Sequence, residues 1–183
     1  MTLGAVLPDN IVTDTPATAQ IVVPCVAGML HQETITAVCD TGLSVTFQLI
    51  PADDPYAYGR VFASWWNRGQ DLIWVEQDMV PDQLFVKRFT ACDRPWCTHP
   101  YFCDSPVPAY GLGVCRFTSK MQAAVPSLGE QAARDHTLRP YTMHWKALNE
   151  RVINLGLHFG YKPCLHTPAA GHLHDYGAGA GDG

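Results

Sequence analysis

The chain has no apolar run near the ~20 residues that a membrane-spanning helix needs, no internal repeat, and no basic stripe. Its twelve Lys and Arg residues are scattered singly against seventeen Asp and Glu, for a net charge of −5. The lack of a long apolar run excludes a spanning helix in this sequence. The lack of a basic stripe argues against tight, sequence-independent nucleic-acid binding, while leaving nucleic acid open as a briefly engaged substrate. Met1 to Asn10 has no basic flank leading into an apolar stretch, so no signal peptide is expected and the predicted location is cytosolic. Charge is sparse as well: 16% of residues are charged and 47% hydrophobic, a globular rather than a disordered balance.

What is present is a one-domain length, 183 residues, with enough chain for a buried core. The seven cysteines are odd in number, and Cys25, Cys115 and Cys164 sit in apolar runs, which reads as reduced structural thiols rather than a disulfide framework. Residues 1–18, rich in Thr, Pro and Asp, read as an arm, residues 19–176 as the folded unit, and 177–183 as a flexible Gly/Ala tail.

Ile21 to Val26 is a short β-branched run suited to a strand buried on both faces. A helix over His31 to Cys39, a strand over Val45 to Ile50, a helix over Tyr58 to Arg68 ended by Gly69, and a strand over Leu72 to Val75 follow. Pro81-Asp82 has the chemistry of a helix first turn. Trp96 to Phe102 and Leu112 to Phe117 read as strands, and Ser119-x-x-Gln122 as a capping box. Trp145, Leu148, Val152 and Leu155 make one helical stripe, closed by Gly156. Alternation of strand and helix predicts an α/β fold with a mostly parallel central sheet.

Glu76-Gln77-Asp78 follows the third strand directly. In extended chain, residues two apart point the same way, so both carboxylates would face one ligand and Gln77 would face elsewhere. Sites in open α/β sheets lie outside the carboxyl ends of strands. Two hard oxygen donors there suit a divalent cation carrying a diphosphate; a solvated loop is the plainer alternative.

The stretch Gly59-Arg60, Asn67-Arg68-Gly69 and Asp71-Leu72-Ile73-Trp74-Val75-Glu76-Gln77-Asp78 resembles the central block of GT-A glycosyltransferases, in which an apolar strand ends in a D-x-D motif. Glu76 departs from the usual first Asp, and Asp78 matches the metal-binding final acid. The resemblance implies a single compact GT-A-like domain that uses a nucleoside-diphosphate sugar and Mn²⁺ or Mg²⁺. It implies that Pro24, Val26 and Ala27 hold the nucleoside, that Asp53 or Asp54 contacts base or ribose, and that Arg60 lies near the nucleotide. It implies a late histidine, His172 or His174, joining Glu76 and Asp78 at the metal. Gly111 and Gly113 resemble the turn that lets backbone approach the donor sugar, though a hairpin needs glycine equally. Asp104 is a candidate contact to a sugar hydroxyl. Where many such sequences carry a general base just before the Trp of the last helix, His144 stands here, and an imidazole suits that task; Asp135 is a second candidate.

Cys92, Cys97, His99 and Cys103 offer a competing reading as a structural zinc module, since thiolate and imidazole suit tetrahedral Zn²⁺. A nucleotidyltransferase of related fold is the nearest enzymatic alternative. The acceptor, possible as a protein or a modified nucleic acid, is named by no residue.

Overall fold

The computed structural model describes residues 19–54, 56–101, 110–134 and 144–173, with side chains in the last segment from 147 onward. β1 (Ala19–Val26), α1 (Gln32–Cys39), β2 (Ser44–Ile50), α2 (Ala57–Trp65) and β3 (Asp71–Val75) alternate as the pattern predicts. β4 (Met79–Val80), α3 (Phe85–Ala91), β5 (Trp96–Thr98), β6 (Val114–Phe117), α4 (Ser119–Ala124), α5 (Leu128–Arg134), α6 (His144–His158), β7 (Cys164–Leu165) and β8 (Gly171–His172) follow.

The main sheet has the order β2-β1-β3-β6-β5-β7. β1 is parallel to β2 and β3, β6 is antiparallel to β3 and β5, and β7 is parallel to β5. Thus β1, β2, β3, β5 and β7 run one way and only β6 is reversed, which is the mostly parallel α/β sheet expected. Parallel neighbours need a crossover, and α1 and α2 provide it.

Strand residues divide by parity between two apolar layers. Leu72 and Trp74 of β3 join one core with Phe62 of α2, Met121 of α4, Leu128 of α5, and Leu148 and Val152 of α6. Ile73 and Val75 join the other, with Val38 of α1 and Phe85 and Phe89 of α3. Both faces of β3 are therefore covered, as its uninterrupted apolar sequence requires. Edge-on aromatic packing fills the first core: Phe62 lies 5.2 Å from Trp74, and Trp66 lies 5.2 Å from Phe117, centroid to centroid.

Several boundaries differ from expectation for local reasons. α2 ends at Trp65, before Gly69, and Asn67 takes the left-handed conformation with φ 63°. α3 starts at Phe85, after Pro81-Asp82; Asp82 instead accepts the Leu84 amide on its side chain at 2.9 Å. The cap of α4 is Thr118, whose hydroxyl accepts the Met121 amide, one residue before the predicted box. Gln122 turns inward and bonds the Gln70 and Phe117 carbonyls. β5 stops at Thr98, short of Phe102. α6 runs through Gly156 to His158. Its end is set by Gly160 (φ 82°), with Tyr161 N–H donating to Gly156 at 2.8 Å and Gly160 N–H to Leu157 at 3.0 Å, the paired bonds of a Schellman motif. Gly156 is small for a different reason: a Cβ there would stand 2.7 Å from the Trp96 ring.

Candidate functional site

The carboxyl ends of β1, β2 and β3 open on the same edge of the sheet, because those strands are parallel. Glu76, just beyond β3, is anchored by its amide, which donates to the Gly113 carbonyl at 2.8 Å. The chain then turns: Met79 N–H donates back to Glu76 O at 3.1 Å, so Glu76 to Met79 is a tight turn and not the extended segment the spacing argument assumed. A turn can still bring two carboxylates near one another, and the Asp78 charge is felt at Glu76.

Gln77, expected to face away, fixes the turn. Its side-chain oxygen accepts the Val26 amide at the end of β1, 2.7 Å away, and its carbonyl accepts the Thr34 hydroxyl at 3.0 Å and the His31 amide at 3.3 Å. One residue thereby ties the acidic turn to the exit of β1 and the start of α1.

Asp78 meets a histidine from far along the sequence. β4 and β8 pair antiparallel, with Met79 opposite His172, and Leu173 N–H donates to Asp78 O at 2.8 Å. His172 Nε2 then lies 3.3 Å from Asp78 Oδ2, with His172 8% exposed and Asp78 28%. The Tyr101 ring packs edge-on to His172 at 5.5 Å.

Glu76 is half-buried, with protein packed around its carboxyl group. This burial, reinforced by the negative Asp78, pushes its pKa up to about 7, against the Tyr58 hydrogen bond and the nearby His172, which pull it down. The Tyr58 hydroxyl donates to Glu76 Oε1 at 2.7 Å and accepts from Trp74 Nε1 at 3.1 Å. Burial and the Glu76 charge hold that phenol strongly protonated, so it stays a donor. Neither Tyr58 nor Gln77 carries a sequence signal for these roles; both act through contacts between distant segments.

The result is an Asp78–His172 pair beyond the carboxyl end of β3, with the Glu76 carboxyl nearby. The Asp78 oxygen and the His172 nitrogen are donor types that Mn²⁺ or Mg²⁺ accepts. His174 lies outside the described residues.

Other candidates sort as follows. Val26 and Ala27 mark the exit of β1 at this edge, whereas Pro24 is buried within the strand, paired with Gln48. Its missing N–H is tolerated because the β1–β3 ladder stops at Val22. Asp53 sits on the exposed turn after β2. Asp54 is ion-paired with Arg60 and accepts the Tyr56 amide at 2.9 Å, which together hold its carboxyl below the usual range. These two predicted residues therefore meet each other. Gly111 and Gly113 have packing roles: a Cβ on Gly111 would fall 1.9 Å from Asn149 Oδ1, which accepts the Leu112 amide, and one on Gly113 would fall 2.9 Å from Tyr101. His144 is the first residue of α6, but its side chain, like Asp104 and Asp135, lies outside the described part.

The Cys-His grouping has a different membership from the one expected. His99 is buried with Nδ1 2.8 Å from the Pro168 carbonyl, and Cys103 lies outside the described residues. Cys92 gathers instead with Cys164 and His166. No helix among the described residues is long and apolar enough to cross a membrane.

The strand order, with only β6 reversed, makes a mostly parallel α/β sheet, and Asp78 meets His172 beyond the end of β3. No family model matches the chain, and no curated protein matches it in sequence. Similar solved structures include A197 from STIV, 9% identical with a TM-score of 0.52 over 86% of each chain. They also include a glycosyltransferase involved in glycosylation of the major capsid of PBCV-1, 12% identical with a TM-score of 0.48, covering 84% of this chain and 82% of that one. The glycosyltransferase GlyE of Streptococcus pneumoniae TIGR4 is 8% identical with a TM-score of 0.46; the match covers 79% of this chain but 44% of that one. A Bacillus anthracis structure assigned as a glucose-1-phosphate thymidylyltransferase is among them too. The likeness to A197 shows a shared fold and nothing further.

Proposed function

We propose that the chain is a metal-dependent glycosyltransferase, moving a sugar from a nucleoside-diphosphate sugar to an acceptor hydroxyl. The observation that carries this reading is the meeting of Asp78 and His172 at 3.3 Å beside Glu76, at the carboxyl edge of parallel strands where such sheets take their ligands. Asp78 and His172 are the residues that would hold Mn²⁺ or Mg²⁺, with His174 a further candidate. When bound, the cation supplies Lewis-acid neutralisation of charge on the departing nucleoside diphosphate.

The chain's own groups do the rest. Glu76, oriented by the Tyr58 hydroxyl, accepts hydrogen bonds from ribose or sugar hydroxyls. Asp53, Asp54 and Arg60, beyond β2, lie toward the nucleoside, together with Val26 and Ala27. His144 or Asp135 takes the proton of the acceptor hydroxyl. A protein and a modified nucleic acid are candidate acceptors, and the reading fixes only that the acceptor supplies a hydroxyl.

A donor screen tests it: nucleoside-diphosphate sugars are added with manganese, and thermal stabilisation and sugar release are measured. One donor class should stabilise the chain only when manganese is present. Pyrophosphate release from a nucleoside triphosphate, with no response to any diphosphate sugar, would replace this reading with a nucleotidyltransferase.

A further inference from the structure

We propose that Cys92, Cys97, Cys164 and His166 form a structural zinc site, separate from the acidic site, which staples β7 to the rest of the sheet. The Cys92 and Cys164 sulfurs and a ring nitrogen of His166 all lie within 4.8 Å of one another. Two thiolates on one tetrahedral Zn²⁺, at ~2.3 Å each, sit ~3.7 Å apart, so only a small closure is needed. The fourth ligand comes from the ladder. Cys97 of β5 is the register partner of Cys164 of β7, so the two share a face, and its thiol acts on that of Cys92, though it stands outside the group in which every ligand atom lies within 4.8 Å of the others. Cys164 and His166 are two residues apart along the same extended segment, which His166 N–H continues by donating to the Thr98 carbonyl at 2.9 Å.

Two further features point to a metal rather than to inert thiols. His166 Nε2 is buried and has no hydrogen-bond partner among the described residues, a costly state for an imidazole in a packed site. Cations stand near: Arg116 acts on Cys97 and His166, and Arg94 on Cys164, offsetting the negative charge that three thiolates leave on a zinc centre. Charged groups facing the cluster from its own and packed elements are Arg88, Asp93, Arg94 and Arg116.

The placement gives the site a purpose. β7 is two residues long, and Leu165 within it is exposed, so backbone pairing alone holds it weakly. A zinc ion would join the end of α3, β5 and β7. The chain then passes Ala170, which bridges Tyr101, and enters β8, where His172 meets Asp78. The staple thus holds the segment that delivers His172. The proposal stands on these thiols alone and does not require the glycosyl-transfer reading.

The test uses the full chain, expressed with zinc and purified under reducing conditions without chelator. Metal analysis should give one zinc per chain. Exchange for cobalt should produce the near-ultraviolet thiolate-to-cobalt band and the visible bands of a tetrahedral ion. Cys164→Ser and His166→Ala should lose the zinc, whereas Cys39→Ser, at an exposed thiol outside the cluster, should keep it. Should the first two variants fail to fold, His166→Cys distinguishes the cases: it should retain zinc and, with cobalt, show a stronger charge-transfer band from the added thiolate. Wild-type chain with far less than one zinc and no cobalt charge-transfer band would overturn the proposal. So would a disulfide linking Cys92 to Cys97 or Cys164 in the reduced preparation.

Discussion

His172 Nε2 stands 3.3 Å from an Asp78 carboxylate oxygen, and the backbone fixes the pair from both sides. Met79 and His172 are register partners, and Leu173 donates to the Asp78 carbonyl. A contact held by flanking main-chain bonds survives side-chain substitution, which makes it a clean target. Asp78→Asn should abolish manganese-dependent transfer while far-UV circular dichroism and melting temperature change little, because Asp78 lies beyond the core strand. Near-normal turnover of this variant at saturating manganese would remove Asp78 from the metal site.

The raised pKa of Glu76 makes a prediction about stability without metal. Its folded value is about 7, above the ordinary 4.5. Between those values the folded chain binds a proton that the unfolded chain releases, so stability is fully present below the unfolded pKa and is lost as pH rises to the folded one. Glu76→Gln keeps an acceptor for Tyr58 and carries no charge. In the presence of chelator it should therefore be more stable than wild type by about 2–3 kcal/mol at pH ~8, from the size of the shift, with the gap closing near pH ~4.5. Urea unfolding at the two pH values measures this. A gap of the same size at both would refute the assignment of the shift.

Gly156→Ala sets helix propensity against packing. Alanine inside a helix is favoured over glycine by ~1 kcal/mol. Here its Cβ would stand 2.7 Å from the buried Trp96 ring, and overpacking a filled core costs ~1–3 kcal/mol. Trp96 is enclosed and stacked on Phe117 at 5.6 Å, with little room to retreat. The packing term should win, giving a net loss of ~1–2 kcal/mol in denaturant unfolding. A stabilised variant would show that Trp96 moves freely.

If His144 is the general base, His144→Ala should slow the chemical step ~100-fold or more with donor binding nearly unchanged. Single-turnover rates with the acceptor, beside donor titrations, separate the two effects. Ordinary turnover in the variant would remove His144 from the mechanism and leave product stereochemistry to decide between Asp135 and a retaining route without such a base.

The sequence by itself determined the parallel β1–β3 part of the sheet. β-branched runs and the alternation of strand and helix patterns are local signals, written over a few adjacent residues, and β1 through β3 formed where they pointed. It also located the acidic pair, because a parallel strand's end is an edge by construction. Tertiary structure decided how that pair works. Glu76-Gln77-Asp78 is a turn whose shape depends on Gly113, Val26 and Thr34, none adjacent to it in sequence. Gln77 therefore became the brace that an alternating strand would have turned away, and Tyr58 reached Glu76 from another helix. The same holds for the thiols. Spacing grouped Cys92 with Cys97, His99 and Cys103, but β7 lies beside β5 in the sheet and brings Cys164 and His166 to Cys92 instead. Periodicity reports which face a residue takes within its own element; which elements become neighbours is set by how whole layers pack, and no short window of sequence carries that.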